Sequence, residues 1–126
     1  MAETTLLHHE IVGDNPDLPW MVFIHGAGGS IRTWKFQTDA FAPHYRLLLL
    51  DLRDHGLSKD ILPEFPAYDF DIVAEDILKV LDHLGIEKAH FVSLSIGSVI
   101  LQKIDMLRPE LVDRMVMLAP SSTAVG

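Results

Sequence analysis

Ser93-Leu94-Ser95-Ile96-Gly97 is the stretch whose residue types and spacing could do chemistry. An apolar run through Phe91 and Val92 stops at two serines, and a helix-length apolar segment begins at once, with no room for a loop. A chain that passes from strand to helix around one residue throws that side chain out at the carboxyl edge of a sheet. Small residues must then lie two before and two after it, because the strand and helix backbones nearly touch. Ser93 and Gly97 hold those places, and the pattern reads as a nucleophile elbow with Ser95 at its tip and Ser in place of the usual first Gly. A hydroxyl in that position can attack an acyl carbon once a base takes its proton. The competing reading of a Ser at a strand–helix junction is a helix cap.

Two further polar stretches follow apolar runs. His25-Gly26-Ala27-Gly28-Gly29-Ser30 comes after Trp20–Ile24, and Asp51-Leu52-Arg53-Asp54-His55-Gly56-Leu57-Ser58 comes after Tyr45–Leu50. The glycines of the first permit positive φ angles. They do not make a phosphate cradle, since the Lys of a P-loop is absent and the G-x-G-x-x-G spacing is not met. No His/Asp/Glu spacing reads as a metal site, so neither a metal nor another cofactor is expected.

The elements that must position these stretches follow from periodicity. Residues 5–12 suit a short edge strand, 20–24 and 45–50 are continuous apolar runs of the kind buried on both sheet faces, and 89–94 and 114–119 are two more strands. Ser30 can cap a helix over 31–42, with Trp34, Ala40 and Phe41 facing inward. The spacing predicts a helix over 70–84: Val73, Ile77, Val80, Leu81 and Leu84 form its apolar stripe, and Asp71, Glu75, Asp76, Lys79 and Asp82 its wet face. Asp69 suits its N-cap and Gly85 its stop. A helix over 96–107, apolar almost all round, should be largely buried, and Pro109 ends it. Strands alternating with helices call for one α/β domain over residues 1–126, a three-layer sandwich with a mostly parallel sheet. The three polar stretches then converge at the carboxyl ends of the strands, where such sheets bind ligands.

Composition narrows the setting. The chain has 126 residues, 48% hydrophobic and 22% charged, with a net charge of −8, which suits a folded soluble domain and argues against nucleic acid or an anionic membrane as partner. With no cysteine, thiolate chemistry and disulfides are excluded, and a reducing compartment fits. No signal peptide or membrane-length apolar run is visible, so a cytoplasmic location is expected.

HGAGGS, DLRDHGLS and SLSIGS, each after a core strand, make the sequence similar to the α/β-hydrolase superfamily, specifically the N-terminal half of its esterase-like members. The tail RPELVDRMVMLAP resembles that family's helix end and following strand. Two positions depart from the pattern: Asp54 and Ser93 stand where Gly is usual. The resemblance implies a serine ester hydrolase working through an acyl-enzyme on a small-molecule ester. It assigns Ser95 as nucleophile, the backbone N–H groups of Ile96 and Ala27 as oxyanion hole, and His25, Gly26 and Gly28 as support for that loop. Asp51 and Arg53 read as a structural pair bracing the second loop.

In that family the catalytic acid and His follow the elbow. Here Asp105, Glu110 and Asp113 lie on or just beyond the apolar helix, and no His follows His90. His25 and His55 are at the correct sheet edge, but each reads more simply as a loop residue than as a base. The chain is therefore expected to form a truncated core resembling a flavodoxin-like arrangement, inactive or weak alone, with a homo-oligomer or a complementing C-terminal half as partner. A strand at 114–119 without a neighbour, and a sheet face covered only by the helix at 31–42, both favour self-association. The alternatives are a non-catalytic folded fragment or self-associating module, and a ligand-sensing relative of the same fold.

Overall fold

The computed structural model describes residues 6–26, 30–52 and 70–118. The expected roles of Ala27, Gly28, Arg53 and His55, and the cap at Asp69, lie outside the described residues. Within them, β1 (His9–Val12), β2 (Trp20–Ile24), β3 (Arg46–Leu50), β4 (Ala89–Leu94) and β5 (Val112–Leu118) alternate with α1 (Lys35–Phe41), α2 (Phe70–Leu84) and α3 (Ile96–Leu107). The strands form one sheet in the order β1-β3-β2-β4-β5, with β1 antiparallel to β3 and the other pairs parallel.

Alternating side chains divide the core. Val22, Ile24, Leu48 and Leu50 point to one face, where Val73, Ile77 and Leu81 of α2 and Ile100, Leu101 and Ile104 of α3 cover them. Met21, Phe23, Leu47, Leu49 and Val92 point to the other, against Trp34 and Phe41. This two-sided burial is why the second and third strands read as unbroken apolar runs. Exposed ion pairs, Lys103 to Asp71 at 2.9 Å and Arg108 to Asp82 at 2.9 and 3.0 Å, join α3 to α2. The Arg108 hydrogen bonds hold the Asp82 carboxyl below its ordinary range.

Several expectations need correction. The segment 31–42 is a 3-10 turn, Ile31–Trp34, leading into α1. Ser30 does cap it: its hydroxyl accepts from the Arg32 N–H at 3.1 Å, and its N–H donates to the Thr33 hydroxyl at 3.1 Å. Trp34 is buried and Phe41 half-buried, but Ala40 is exposed. Asp76 is buried instead of lying on the wet face, because α2 packs against α3 as well as the sheet face and its buried arc also takes in Ala74 and Leu78. α3 is not buried all round: near its end Met106 is 82% and Leu107 55% exposed, while Ile104 is fully buried. β1 starts only at His9, whose partner Leu50 is the last residue of β3. β5 starts at Val112, which an irregularity in the β4 ladder between Ala89 and Phe91 lets pair with Ala89. Gly85 (φ +71°) ends α2 as expected, with the Ile86 N–H reaching back to the Leu81 carbonyl at 2.9 Å.

The second sheet face is covered less than the first. Beside α1 lies an open groove of about 700 Å³, lined by Met21, Phe41, Tyr45, His90, Val92 and Val116 among others. Among the described residues no helix is long and apolar enough to cross a membrane.

Candidate active site

The parallel register of β2 and β4 sets Ile24 beside Ser93, so the two strands end together. His25-Gly26 leaves one end and Ser95 leaves the other. Ser95 has φ 56° and ψ −123°, and among the described residues it alone of the non-glycines has a positive φ. A non-glycine residue held there costs about 1–3 kcal/mol and persists only where its surroundings fix it. Ser95 stands at the N-cap position of α3, yet its side chain makes no capping hydrogen bond. The cap reading therefore fails, and the half-buried hydroxyl is not spent on the helix.

Close packing explains the small residues around it. A Cβ on Gly97 would lie 2.6 Å from the Ile24 carbonyl oxygen and 2.8 Å from that of His25. A Cβ on Gly26 would lie 2.9 Å from the Ser95 Cβ and 3.0 Å from the Leu94 carbonyl oxygen. Glycine at both positions lets the loop after β2, the end of β4 and the start of α3 meet around Ser95. Ser93, fully buried, occupies the place of the usual first Gly, and its hydroxyl is 2.9 Å from that of Ser98. Ser98 stands at the end of SLSIGS with no role assigned by the motif. Its offset from Ser93, which puts one residue at the strand end and the other in the first helical turn, is the signal that could have found it.

The donors expected at the site divide in two. Ile96 begins α3, where the N–H groups of the first turn lack helical acceptors and the helix dipole favours negative charge. Its counterpart, the Ala27 N–H, lies outside the described residues.

The supporting residues are placed as follows. His25 is fully buried, and the Leu52 N–H donates to its Nε2 at 3.0 Å. Nδ1 then carries the proton and donates to the Gly26 carbonyl at 2.7 Å. With both ring nitrogens engaged in the backbone, His25 ties the loop after β2 to the loop after β3 and is not placed to act as a base. Asp51, also buried, accepts from the Ile31 N–H at 2.8 Å and so braces the start of the 3-10 turn. Its expected pairing with Arg53 falls outside the described residues. Of the other histidines, His90 lies near the start of β4, at the end of the strand away from Ser95, with its ring 3.9 Å from Asp113. Among the described residues no cluster of His, Asp and Glu could hold a metal ion.

Known proteins share this fold. The family model described as the alpha/beta hydrolase fold matches residues 19–126. A protein of Stutzerimonas stutzeri named "Putative carbamate hydrolase RutD" is 33% identical over 111 residues, covering 87% of this chain and 41% of its own length. The enol-lactonase of Burkholderia xenovorans superposes with a TM-score of 0.79 at 30% identity, over 86% of this chain and 41% of that one. A carboxylesterase structure from Nitrososphaera gargenis gives 0.81 at 27% identity, over 91% and 42%. The chain thus spans about 40% of the length of these relatives. A family model that matches from before the first core strand to the last residue, and solved hydrolases that superpose on the same sheet, lead to one conclusion: the chain belongs to the α/β-hydrolase family.

Proposed function

We propose that Ser95 is the nucleophile of a serine hydrolase that cleaves small carboxylic esters. The observation that carries this reading is the conformation of Ser95: a strained φ at a helix N-terminus, with a hydroxyl not used as a cap. Backbone strain of this kind, held by close backbone contacts, is characteristic of functional positions. In the reaction, Oγ attacks the ester carbonyl and its proton passes to a base. The tetrahedral oxyanion collapses with loss of the alcohol, and water then releases the acid from acyl-Ser95. The N–H groups of Ile96 and Ala27 would receive the oxyanion, a pair worth on the order of several kcal/mol of barrier.

On this reading the base and its orienting acid come from a complementing segment, as the resemblance to the family implies. His25 is held by the backbone on both nitrogens, and no His follows His90. A complementing C-terminal half is the partner this reading calls for, with a small-molecule ester as substrate and a reducing, cytoplasmic setting supported by the lack of cysteine. Incubation with a fluorophosphonate followed by mass mapping tests it. Modification of Ser95, absent in Ser95→Ala and strengthened when the complementing half is added, is expected. Failure to modify Ser95 even in the complemented protein refutes the reading.

One observation favours a second reading, a non-catalytic self-associating module. β5 is the edge of the described sheet, with Val116 53% and Met117 36% exposed, and the open groove adjoins it. Light scattering separates the two: a dimer that never labels supports the module, and a monomer at high concentration removes it.

A further inference from the structure

The two hydroxyls that straddle the elbow do more than fill space. Ser93 lies two residues before Ser95 and Ser98 three after it, and both side chains are buried. Their 2.9 Å hydrogen bond joins the end of β4 to the first turn of α3 directly across the bend. We propose that Ser93 and Ser98 form a positioning clamp for Ser95, fixing the direction of its hydroxyl and of the Ile96 N–H. The proposal rests on the reading of Ser95 as nucleophile.

The other restraints on the elbow explain why a clamp is needed. The contacts at Gly97 and Gly26 are steric limits: they prevent α3 and the loop after β2 from moving closer, but nothing in them prevents separation. The Ser98 N–H donates to the Ser95 carbonyl at 2.9 Å, which closes the turn on itself without tying it to the strand. The hydroxyl pair supplies that tie. It acts against the tendency of Ser95 to relax from φ 56° towards a negative φ, a change that would swing the start of α3 away from β4. Because both groups are shielded from water, the bond is stronger than a surface one, and losing either partner leaves the other hydroxyl buried and unsatisfied. The clamp therefore works only as a pair, with Ser occupying both positions together.

Native-state hydrogen exchange on the ¹⁵N-labelled chain, run beside fluorophosphonate labelling of the complemented protein, tests this. The Ser98 amide reports elbow opening. Ser93→Ala and Ser98→Ala are each expected to speed its exchange about tenfold relative to amides of β2 and α2. The double variant, which leaves no unpaired hydroxyl, should fall short of the product of the two and should fold even where a single variant does not. In labelling, the maximal rate should drop about tenfold in the single variants with little change in reagent affinity. Ser98 exchange within twofold of wild type, or acceleration shared equally by β2 and α2, overturns the clamp. If wild-type Ser95 never labels while the exchange pattern holds, the clamp stands as a restraint on the elbow. It is then the nucleophile assignment that fails.

Discussion

Gly97→Ala measures how tightly the elbow is packed. The backbone at Gly97 does not have a positive φ, so alanine meets no conformational penalty there, and relative to glycine it favours a helix by up to about 1 kcal/mol. Against this, the added Cβ would stand 2.6 Å from the Ile24 carbonyl oxygen and 2.8 Å from that of His25, both backbone atoms of the central strand's end. Restoring ordinary contact means moving the start of α3 off β2 by nearly 1 Å. Overpacking of this kind costs about 1–3 kcal/mol, and the propensity gain offsets a fraction of it, leaving a net loss on the order of 1–2 kcal/mol. For a domain of this size that is a fall in Tm of roughly 4–8 °C. A displacement of that size at the reacting group can also cost about 100-fold in rate, so Ser95 labelling in the complemented protein should fall far more than stability does. Gly85→Ala is the matched control: nothing lies within 4 Å of its added Cβ, but its φ is +71°, so its cost, about 1 kcal/mol, is backbone strain alone and leaves labelling untouched. A Gly97→Ala variant that melts within 2 °C of wild type and labels at the same rate would show that the contact is not rigid, and would refute the reasoning.

Ser95→Gly should abolish labelling while raising stability by about 1 kcal/mol in urea unfolding, because glycine adopts the positive φ without strain; Ser95→Ala should abolish labelling with no such gain. His25→Ala leaves the Leu52 N–H and the Gly26 carbonyl without their buried partner and should cost about 2–4 kcal/mol, read as a lower urea midpoint at unchanged m. The Asp82–Arg108 pair is exposed and should contribute less than about 1 kcal/mol. Since the folded state holds the Asp82 carboxyl below its ordinary range, that contribution is present above the ordinary carboxylate range and is lost as pH falls through the lowered value. Asp82→Asn should remove it, so the difference in Tm between variant and wild type should shrink on acidification and with added salt.

What was legible in the sequence is what local chemistry dictates. The two runs Trp20–Ile24 and Tyr45–Leu50 read as interior strands because short unbroken apolar runs suit burial on both sheet faces, and four of the five residues in each observed strand are buried. The elbow was legible because its demands are steric and local: Ser95 between small residues, at a junction too tight for a loop. Gly85 and Ser30 marked helix boundaries through their backbone and side-chain chemistry. What escaped depends on neighbours distant in the chain. Asp76 is buried because of where α3 packs, which the period of α2 alone cannot encode. Met106 and Leu107 have apolar side chains but are exposed, because which arc of an all-apolar helix is covered depends on its neighbours. Asp113 falls outside the strand expected over 114–119, yet it is exposed, and an edge strand tolerates a charge there. Ser98 closes the SLSIGS motif without a role of its own there, and its role emerges only when the strand end and the first helical turn touch.

The register that sets Ile24 beside Ser93 also has a kinetic meaning. β2 and β4 are adjacent in the sheet, but α1, β3 and α2 all intervene between them in the chain. The contact of Gly97 with the Ile24 carbonyl, and with it the bend at Ser95, can form only after that long-range pairing has closed a large loop. An incompletely folded chain can have α2 and α3 formed and still have an ordinary, relaxed serine at 95. The conformation of this one residue is thus a late event on the folding route, and its reactivity would report the fraction of molecules in which the centre of the sheet is fully assembled.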